Sequence, residues 1–548
     1  MTASAPRLVQ VGRDATIHYR GHYLYSPVSP REGALKRLAG LVLAPRTLLF
    51  VPSLGLGYGL RELLERLPAE CHILCVEADQ RLMALALRSG LPLPGDPRLS
   101  ILRTEEPAKA AAVLHALGPW RFRRLLAVHL CGGYQLYPEI YRRLREALEE
   151  EIRLYWQNRL TLMRMSRLWL KNLFLNLTML PDCRHPQSLR TGRPVVVAGA
   201  GPSLETAPQW LRQIRERVVL LAVDTALPVL LDAGIRPDWI FTLDAQAHNL
   251  QDFLPWRDPG MALLCDLTAS PQSLRLFPLR YPFSSRFYPL SLFERLEAAG
   301  LLPTVLPPRG SVGVAAVEAA LGITSGPLLL IGLDFSYPGG KTHARGAPAQ
   351  RSMHALSGRL RPPGMPVFTA LLERPRLWLR DKGQGQRLLS DLVLHSYALQ
   401  LQRVVGGSGR VFDLGSTGLP TGAVPVRSLG QLEEICRAPA GGARGSRARE
   451  DEAGSPPERW PPSREQVQAF LRAEAGLLRE AAQELGGRSV PPEGELPVPC
   501  RQVDYLFLHL PEAEPRRLLE GHCRRQALAA AQGYLGLLER LARSMAPL

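Results

Sequence analysis

Pro194-Val-Val-Val-Ala-Gly-Ala-Gly-Pro-Ser-Leu204 and Gly332-Leu-Asp-Phe-Ser-Tyr337 are the stretches on which the fold of this chain turns. In the first, a β-branched run too short for a helix meets a Gly-x-Gly turn, and the amphipathic segment Leu204 to Arg217 follows, so the reading is strand, Gly-rich turn, helix. Such glycines let the backbone approach a ligand, Pro202 stiffens the turn, and Ser203 is placed to cap a helix whose N–H groups attract an anion. Two further apolar runs each end in an aspartate: Leu220-Leu-Ala-Val-Asp-Thr-Ala226 and Ile235-Arg-Pro-Asp-Trp-Ile-Phe-Thr-Leu-Asp-Ala-Gln246. Alternation of apolar strands with amphipathic helices predicts a mostly parallel sheet, in which ligands bind beyond the carboxyl ends of the strands.

Working outward, 548 residues with 46% apolar content predict two or three globular domains. An α/β chain is expected: a Rossmann-like domain over 1–136, connecting helices over 137–182, a central domain over 183–438, a flexible linker over 439–464 and a helical bundle over 465–548. The linker is read from its density of Gly, Ala, Arg, Glu, Ser and Pro without periodicity. In the tail, Val467, Phe470, Leu471, Leu477 and Leu478 form one apolar stripe, and Leu518, Ala527, Ala530, Tyr534, Leu537 and Leu541 form others. Packing of this tail against the core is expected, with acceptor docking as an alternative.

In the first domain, Thr47-Leu-Leu-Phe-Val-Pro-Ser-Leu-Gly-Leu-Gly-Tyr-Gly59 leads into Leu60 to Arg66 and then Cys71-His-Ile-Leu-Cys-Val-Glu-Ala-Asp79. That is the pattern of a dinucleotide or S-adenosylmethionine fold with Glu77 at the ribose position; an accessory scaffold with an idle turn is the preferred reading. His129 is read as a packed core histidine. From Tyr137 to Leu177 the apolar spacing is helical, with Trp169-Leu-Lys-Asn172 on that segment.

A net charge of +17 invites a nucleic-acid reading, yet of 67 basic residues only five are lysines (Lys36, Lys109, Lys171, Lys341, Lys382). The remaining 62 arginines are dispersed, without the aromatic-basic interleaving of a recognised nucleic-acid module, so no nucleic-acid partner is expected. Eight cysteines without a Cys-x-x-Cys are expected to be reduced core residues, with neither a metal site nor a disulfide framework. No apolar h-region opens the chain and no stretch of about 18 uncharged apolar residues occurs, so no membrane span and a cytoplasmic location are expected.

Gly-x-Gly-Pro-Ser-Leu, Asp-Thr-Ala-Leu, Leu-Asp-Ala-Gln, Gly310-Ser-Val-Gly313 and Gly332-Leu-Asp-Phe-Ser-Tyr with Gly-Lys-Thr-His-Ala-Arg-Gly346 together resemble the core of the Maf (motility-associated factor) flagellin glycosyltransferases, over roughly Arg20 to Gln431. The same core is similar to bacterial sialyltransferases and to the archaeal MptE-like hydroxymethylpterin diphosphokinases. In the diphosphokinases the corresponding strand ends in an Asp-Leu-Asp-Gly pattern; Thr242-Leu-Asp-Ala-Gln246 is the Maf-like version. The resemblance implies transfer of a nonulosonic acid of pseudaminic or legionaminic type from a CMP-activated donor to Ser or Thr of flagellin, with no cofactor and no metal. The alternatives are an MptE-like diphosphokinase using ATP and magnesium, and a non-catalytic flagellin-binding accessory factor.

By the same resemblance, Gly199, Gly201, Pro202 and Ser203 face the nucleotide, Asp224 and Thr225 occupy the next strand end, and Gly310, Ser311 and Gly313 open a helix that takes the cytidine or the donor carboxylate. Asp334, Lys341 and Thr342 complete the donor site. Tyr337 stands where the sialyltransferases put a tyrosyl hydroxyl on the leaving phosphate. His343 is the candidate general base, with Asp244 the acidic alternative and His354 and His395 behind them. In Val411-Phe-Asp-Leu-Gly-Ser-Thr-Gly418, Asp413 replaces an Asn-x-x-Glu-Gly type turn of the Maf proteins.

Overall fold

The structure, a computed structural model, describes residues 5–89, 95–253, 260–355, 357–360, 362, 365–372, 376–382, 387–437, 460–487, 496–511 and 515–546. Residues 438–459, which carry most of the expected linker, lie outside this set. Two compact units make up the chain, Met1–Arg164 and Met165–Leu548. The division falls inside a single 40-residue helix, Pro138–Leu177.

In the first unit a four-stranded parallel sheet runs in the order Leu99–Arg103, His72–Glu77, Thr47–Pro52, Arg124–Ala127. Every residue of its two central strands is buried, the mark of a parallel sheet covered on both faces. Its Gly-rich turn is filled from within. Ser53 Oγ and Leu54 N donate to Glu77 Oε2 at 2.9 and 3.0 Å, and Asp79 N and the Tyr141 hydroxyl donate to Oε1 at 3.0 and 3.1 Å. A Cβ on Gly55, held at φ +55°, would lie 2.4 Å from the Tyr25 hydroxyl, which accepts the Leu56 N–H at 2.8 Å. The carboxylate that a ribose would need is thus satisfied by the protein itself. His129 is half-buried, with its ring 4.1 Å from that of Tyr134.

The second unit is built on nine parallel strands in the order Thr304–Val305, Leu279–Ser284, Ala262–Asp266, Trp239–Thr242, Val219–Val223, Val195–Ala198, Leu328–Ile331, Val411–Asp413, Val424–Pro425. Successive strands after Val195–Ala198 move outward on one side, and Leu328–Ile331 then returns to its other side. The switch point therefore lies between the two strands that the opening motifs terminate, where an open α/β sheet leaves its crevice. The core beneath it consists of Val195–Val197, Leu220–Ala222 and Leu328–Leu330 with the apolar helix Val312–Ile323 packed across them. All eight cysteines are free, seven of them buried.

The C-terminal region is helical: Arg464–Gly486, opened by a Ser463/Gln466 capping box, packs along Gly521–Ser544. The buried stripe of the second helix is Ala527, Ala531, Tyr534, Leu538 and Ala542, rotated by one position from the Ala530, Leu537, Leu541 spacing. This tail docks on the sheet. Arg295 of helix Ser291–Ala298 forms a bidentate pair with buried Glu474 at 2.9 and 2.7 Å, and the Tyr505 hydroxyl donates to the same carboxylate at 2.8 Å. Asn172 and Asn176 of the long helix brace the loops on the sheet's carboxyl edge, donating to Ala245 O and Thr268 O, and to Leu267 O and Ala269 O.

Candidate active site

At the switch point the two motif turns meet backbone to backbone. Gly199 N donates to Ile331 O and Gly201 N to Gly332 O, both at 2.8 Å. A Cβ on Gly199 would sit 2.4 Å from Gly332 O, and one on Gly332, at φ +71°, 2.1 Å from Gly199 O. Glycine is required here because two turns approach each other, not only because a ligand approaches a turn. Leu204 to Arg217 starts as a 3₁₀ turn, Pro202–Thr206, before the helix Ala207–Ile214, so Ser203 lies inside the turn and its side chain caps nothing.

Ser203 is instead a latch. Its N and Oγ both donate to Asp334 Oδ2, at 2.9 and 3.0 Å, and its Oγ accepts the Gly332 N–H at 3.1 Å. Asp334 is buried, and burial pushes its carboxyl above the ordinary aspartate range while Ser203 and the Lys382 charge pull it back. Lys382 pairs at 2.8 Å with buried Asp413, whose oxygens also take Gly415 N and the Thr421 hydroxyl. Ser203, Asp334, Asp413 and Lys382 thus form a polar knot under the crevice, spanning three neighbouring strand ends.

The loop after Phe335, itself at φ +49°, folds back over the first turn. Ala344 N donates to Ala200 O at 2.8 Å, and Glu205 takes Lys341 Nζ at 2.7 and 3.0 Å and Arg345 N at 2.8 Å. Gly339 and Gly340 hold φ +58° and +73° in the tight bend. Tyr337 is buried and its hydroxyl donates to Asp391 Oδ2 at 2.5 Å, while Asp391 Oδ1 caps helix Leu392–Val405 through Leu394 N. The tyrosine therefore anchors a helix N-terminus. His343 is half-buried with Nδ1 3.3 Å from Thr342 Oγ1, and Gln350 donates to its carbonyl. His354 is exposed and His395 is half-buried on the Leu392–Val405 helix.

One and two strands away, the ends of Val219–Val223 and Trp239–Thr242 bring three carboxyls together. Asp224 accepts Thr225 N and Oγ1 on one oxygen and the Thr242 hydroxyl and Asn249 Nδ2 on the other, at 2.7–3.1 Å. Burial raises its pKa, and those four donors oppose the rise. Asp244, half-exposed, accepts Gln246 N at 2.9 Å. Asp252, at the end of the 3₁₀ segment Ala247–Asp252, is pushed up to about 7 by burial, with the charges of Asp224 and Asp244 adding to it. No group of acidic, His or Cys side chains among the described residues has the geometry of a metal site.

Helix Val312–Ile323 completes the edge. Gly313 faces Leu333, where a Cβ would lie 2.5 Å from Leu333 Cδ2, so the helix start abuts the second motif turn. The Ser311 side chain makes no capping bond, leaving a half-buried hydroxyl beside an N-terminus suited to an anion. Gly310 fits against the Tyr397 ring, and Arg309 is neutralised by a bidentate pair with Glu318 at 2.7 and 2.8 Å.

A family profile described as 6-hydroxymethylpterin diphosphokinase MptE-like matches residues 170–340. The chain superposes on the MAf glycosyltransferase of Magnetospirillum magneticum AMB-1 with a TM-score of 0.54, covering 99% of this chain and 90% of that one at 16% identity. The chain has the fold of that MAf glycosyltransferase, around a core that the MptE-like profile matches. That core contains both motif turns, the Asp224 cluster and the Ser311 turn; Lys341, Thr342 and His343 lie just past its end. A Treponema pallidum (strain Nichols) protein described only as uncharacterized is 28% identical over 560 residues, 98% of this chain and 96% of its own length. A second from the same organism is 29% identical over 158 residues, 27% of this chain and 40% of its own length.

Three residues of this edge escape sequence reasoning. Lys382 carried a signal, since lysine is so rare here, but its pairing with Asp413 is a tertiary fact. Asn249 and Asp252 sit in a polar stretch without a motif, and nothing in the spacing separates them from loop residues. Among the described residues no helix is long and apolar enough to cross a membrane.

Proposed function

We propose that this chain is a Maf-type glycosyltransferase that moves a nonulosonic acid from a CMP-activated donor to Ser or Thr hydroxyls of flagellin, in the cytoplasm and without a metal. The observation that carries the reading is the whole-chain likeness to a Maf glycosyltransferase, including the regions that flank the core. Transfer of this kind requires an anion-binding edge for the nucleotide and one group to take the acceptor proton. The Ser311 turn at the start of helix Val312–Ile323 is suited to the first; Asp244 and Asp252, beyond the end of the Trp239 strand, are placed for the second.

The MptE-like description favours a second reading, pyrophosphoryl transfer from ATP with magnesium. Against it, both oxygens of Asp224 are occupied by protein donors, so this carboxylate offers a metal little. Calorimetric titration with CMP and CTP, and with ATP with and without magnesium, tests the choice. Metal-independent binding of cytidine nucleotides is expected; magnesium-dependent ATP binding in its place would promote the diphosphokinase, and no nucleotide binding would favour an accessory factor.

A further inference from the structure

Asp252 is 4% exposed, and among the described residues no donor reaches its carboxyl. Buried carboxyls elsewhere in this sheet are treated differently: Asp224 holds four donors, Asp334 two from Ser203, and Asp266 three from Thr268 and Ser285. A buried carboxyl without a donor costs stability, and of these four Asp252 is the one so left, which calls for a reason at that position.

The position supplies one. Asp252 closes a short 3₁₀ segment, Ala247–Asp252, whose Asn249 is fixed to Asp224 at 2.9 Å, so the segment is pinned to the carboxyl edge of the sheet. Neighbouring strands are about 4.8 Å apart, which sets the end of the Trp239 strand about 12 Å from the switch point, along the edge on which a nucleotide-sugar would lie. The charged groups that bear on it are Asp224 and Asp244; the packed helix Pro271–Leu274 brings no titratable side chain.

We propose that Asp252 is the general base that accepts the acceptor hydroxyl proton, an assignment that rests on the glycosyltransferase reading above. As the hydroxyl oxygen bonds to the anomeric carbon, its proton passes to a carboxylate oxygen of Asp252; the bond from that carbon to the phosphate oxygen breaks, and the nucleotide leaves with the electron pair. A carboxyl pushed up to about 7 by burial and by Asp224 and Asp244 is matched in basicity to this task near neutral pH. Three other ionisable groups of this edge are engaged within the protein: the Tyr337 hydroxyl with Asp391, Asp334 with Ser203, and Asp224 with its four donors.

The test compares the full chain with Asp252→Asn and Asp252→Glu, using a CMP-nonulosonate donor and flagellin, with CMP affinity measured calorimetrically on each as the control for a folded site. Expected are a kcat for Asp252→Asn lowered about 10²–10⁴-fold, with CMP affinity and donor KM within about twofold of the parent, loss of an acidic limb near pH 7, and partial return of activity with a displaced limb in Asp252→Glu. Transfer by the parent that Asp252→Asn matches, with the same acidic limb, overturns the assignment and leaves the glycosyltransferase reading standing. Absence of transfer by the parent itself overturns that reading and the assignment with it.

Discussion

Replacing Ser203 by alanine separates two roles for the most motif-like serine of the chain. If the hydroxyl faces the donor phosphate, Ser203→Ala weakens nucleotide binding and leaves stability almost untouched. The structure predicts the opposite emphasis. Ser203 Oγ bridges Gly332 N and Asp334 Oδ2 in a buried site, at 3.1 and 3.0 Å. Its removal orphans a buried N–H, at about 1–3 kcal/mol, and takes one of two Ser203 donors from a buried carboxyl, at about 1.5–3 kcal/mol if charged. The sum is about 2.5–6 kcal/mol, less the part that relaxation recovers. Urea unfolding followed by circular dichroism reads this as a lower midpoint at unchanged slope, and calorimetry with CMP on the folded variant reads the second role. A midpoint shift worth less than about 0.5 kcal/mol, together with lost CMP affinity, would refute the latch and return Ser203 to the ligand.

Asp252→Asn is expected to stabilise the protein in a pH-dependent way. The folded carboxyl titrates near 7 and the unfolded one near 3.9, so the native state holds the proton more tightly and the wild type loses stability as pH rises from about 4 to 7. The gap to Asp252→Asn should widen across that window and level off above it; thermal melts that run parallel from pH 4 to 8 would contradict it. In the first unit, Gly55→Ala forces a Cβ into the Tyr25 hydroxyl at φ +55° and should destabilise that unit, while the parent shows no S-adenosylmethionine or NAD binding by calorimetry. Arg295→Ala leaves Glu474, 1% exposed, as an unpaired buried carboxylate, a loss of about 3–5 kcal/mol. Limited proteolysis should then cut within Arg464–Ser544 well before the sheet domain, and unchanged cleavage order would refute the docking role.

Much of the architecture was legible because it rests on short-range rules. The runs Val195–Ala198, Val219–Val223 and Trp239–Thr242 are strands where β-branched apolar residues end in Gly or Asp, and Arg309-Gly-Ser-Val-Gly313 opens the helix it was expected to open. The first tail helix buries Val467, Phe470, Leu471 and Leu478 of its expected stripe, whereas the second is rotated by one residue, since a helix rich in Ala and Leu offers two adjacent stripes and only its partner selects between them. The site was less legible than the fold. Sequence located the carboxyl edge, yet not which polar groups there face one another.

That difference has a physical cause. Periodicity, glycine and chain direction act within a few residues, so the sequence alone determined the strand–turn–helix order, the parallel sheet and the edge where its motifs gather. Hydrogen-bond partnership is decided by groups far apart in the chain: Ser203 with Asp334, Lys382 with Asp413, Tyr337 with Asp391, Asp224 with Thr242 and Asn249. Only the tertiary structure settled which of these side chains are consumed in holding the turns together, and which carboxyl, Asp252, is buried beside two others without a donor of its own.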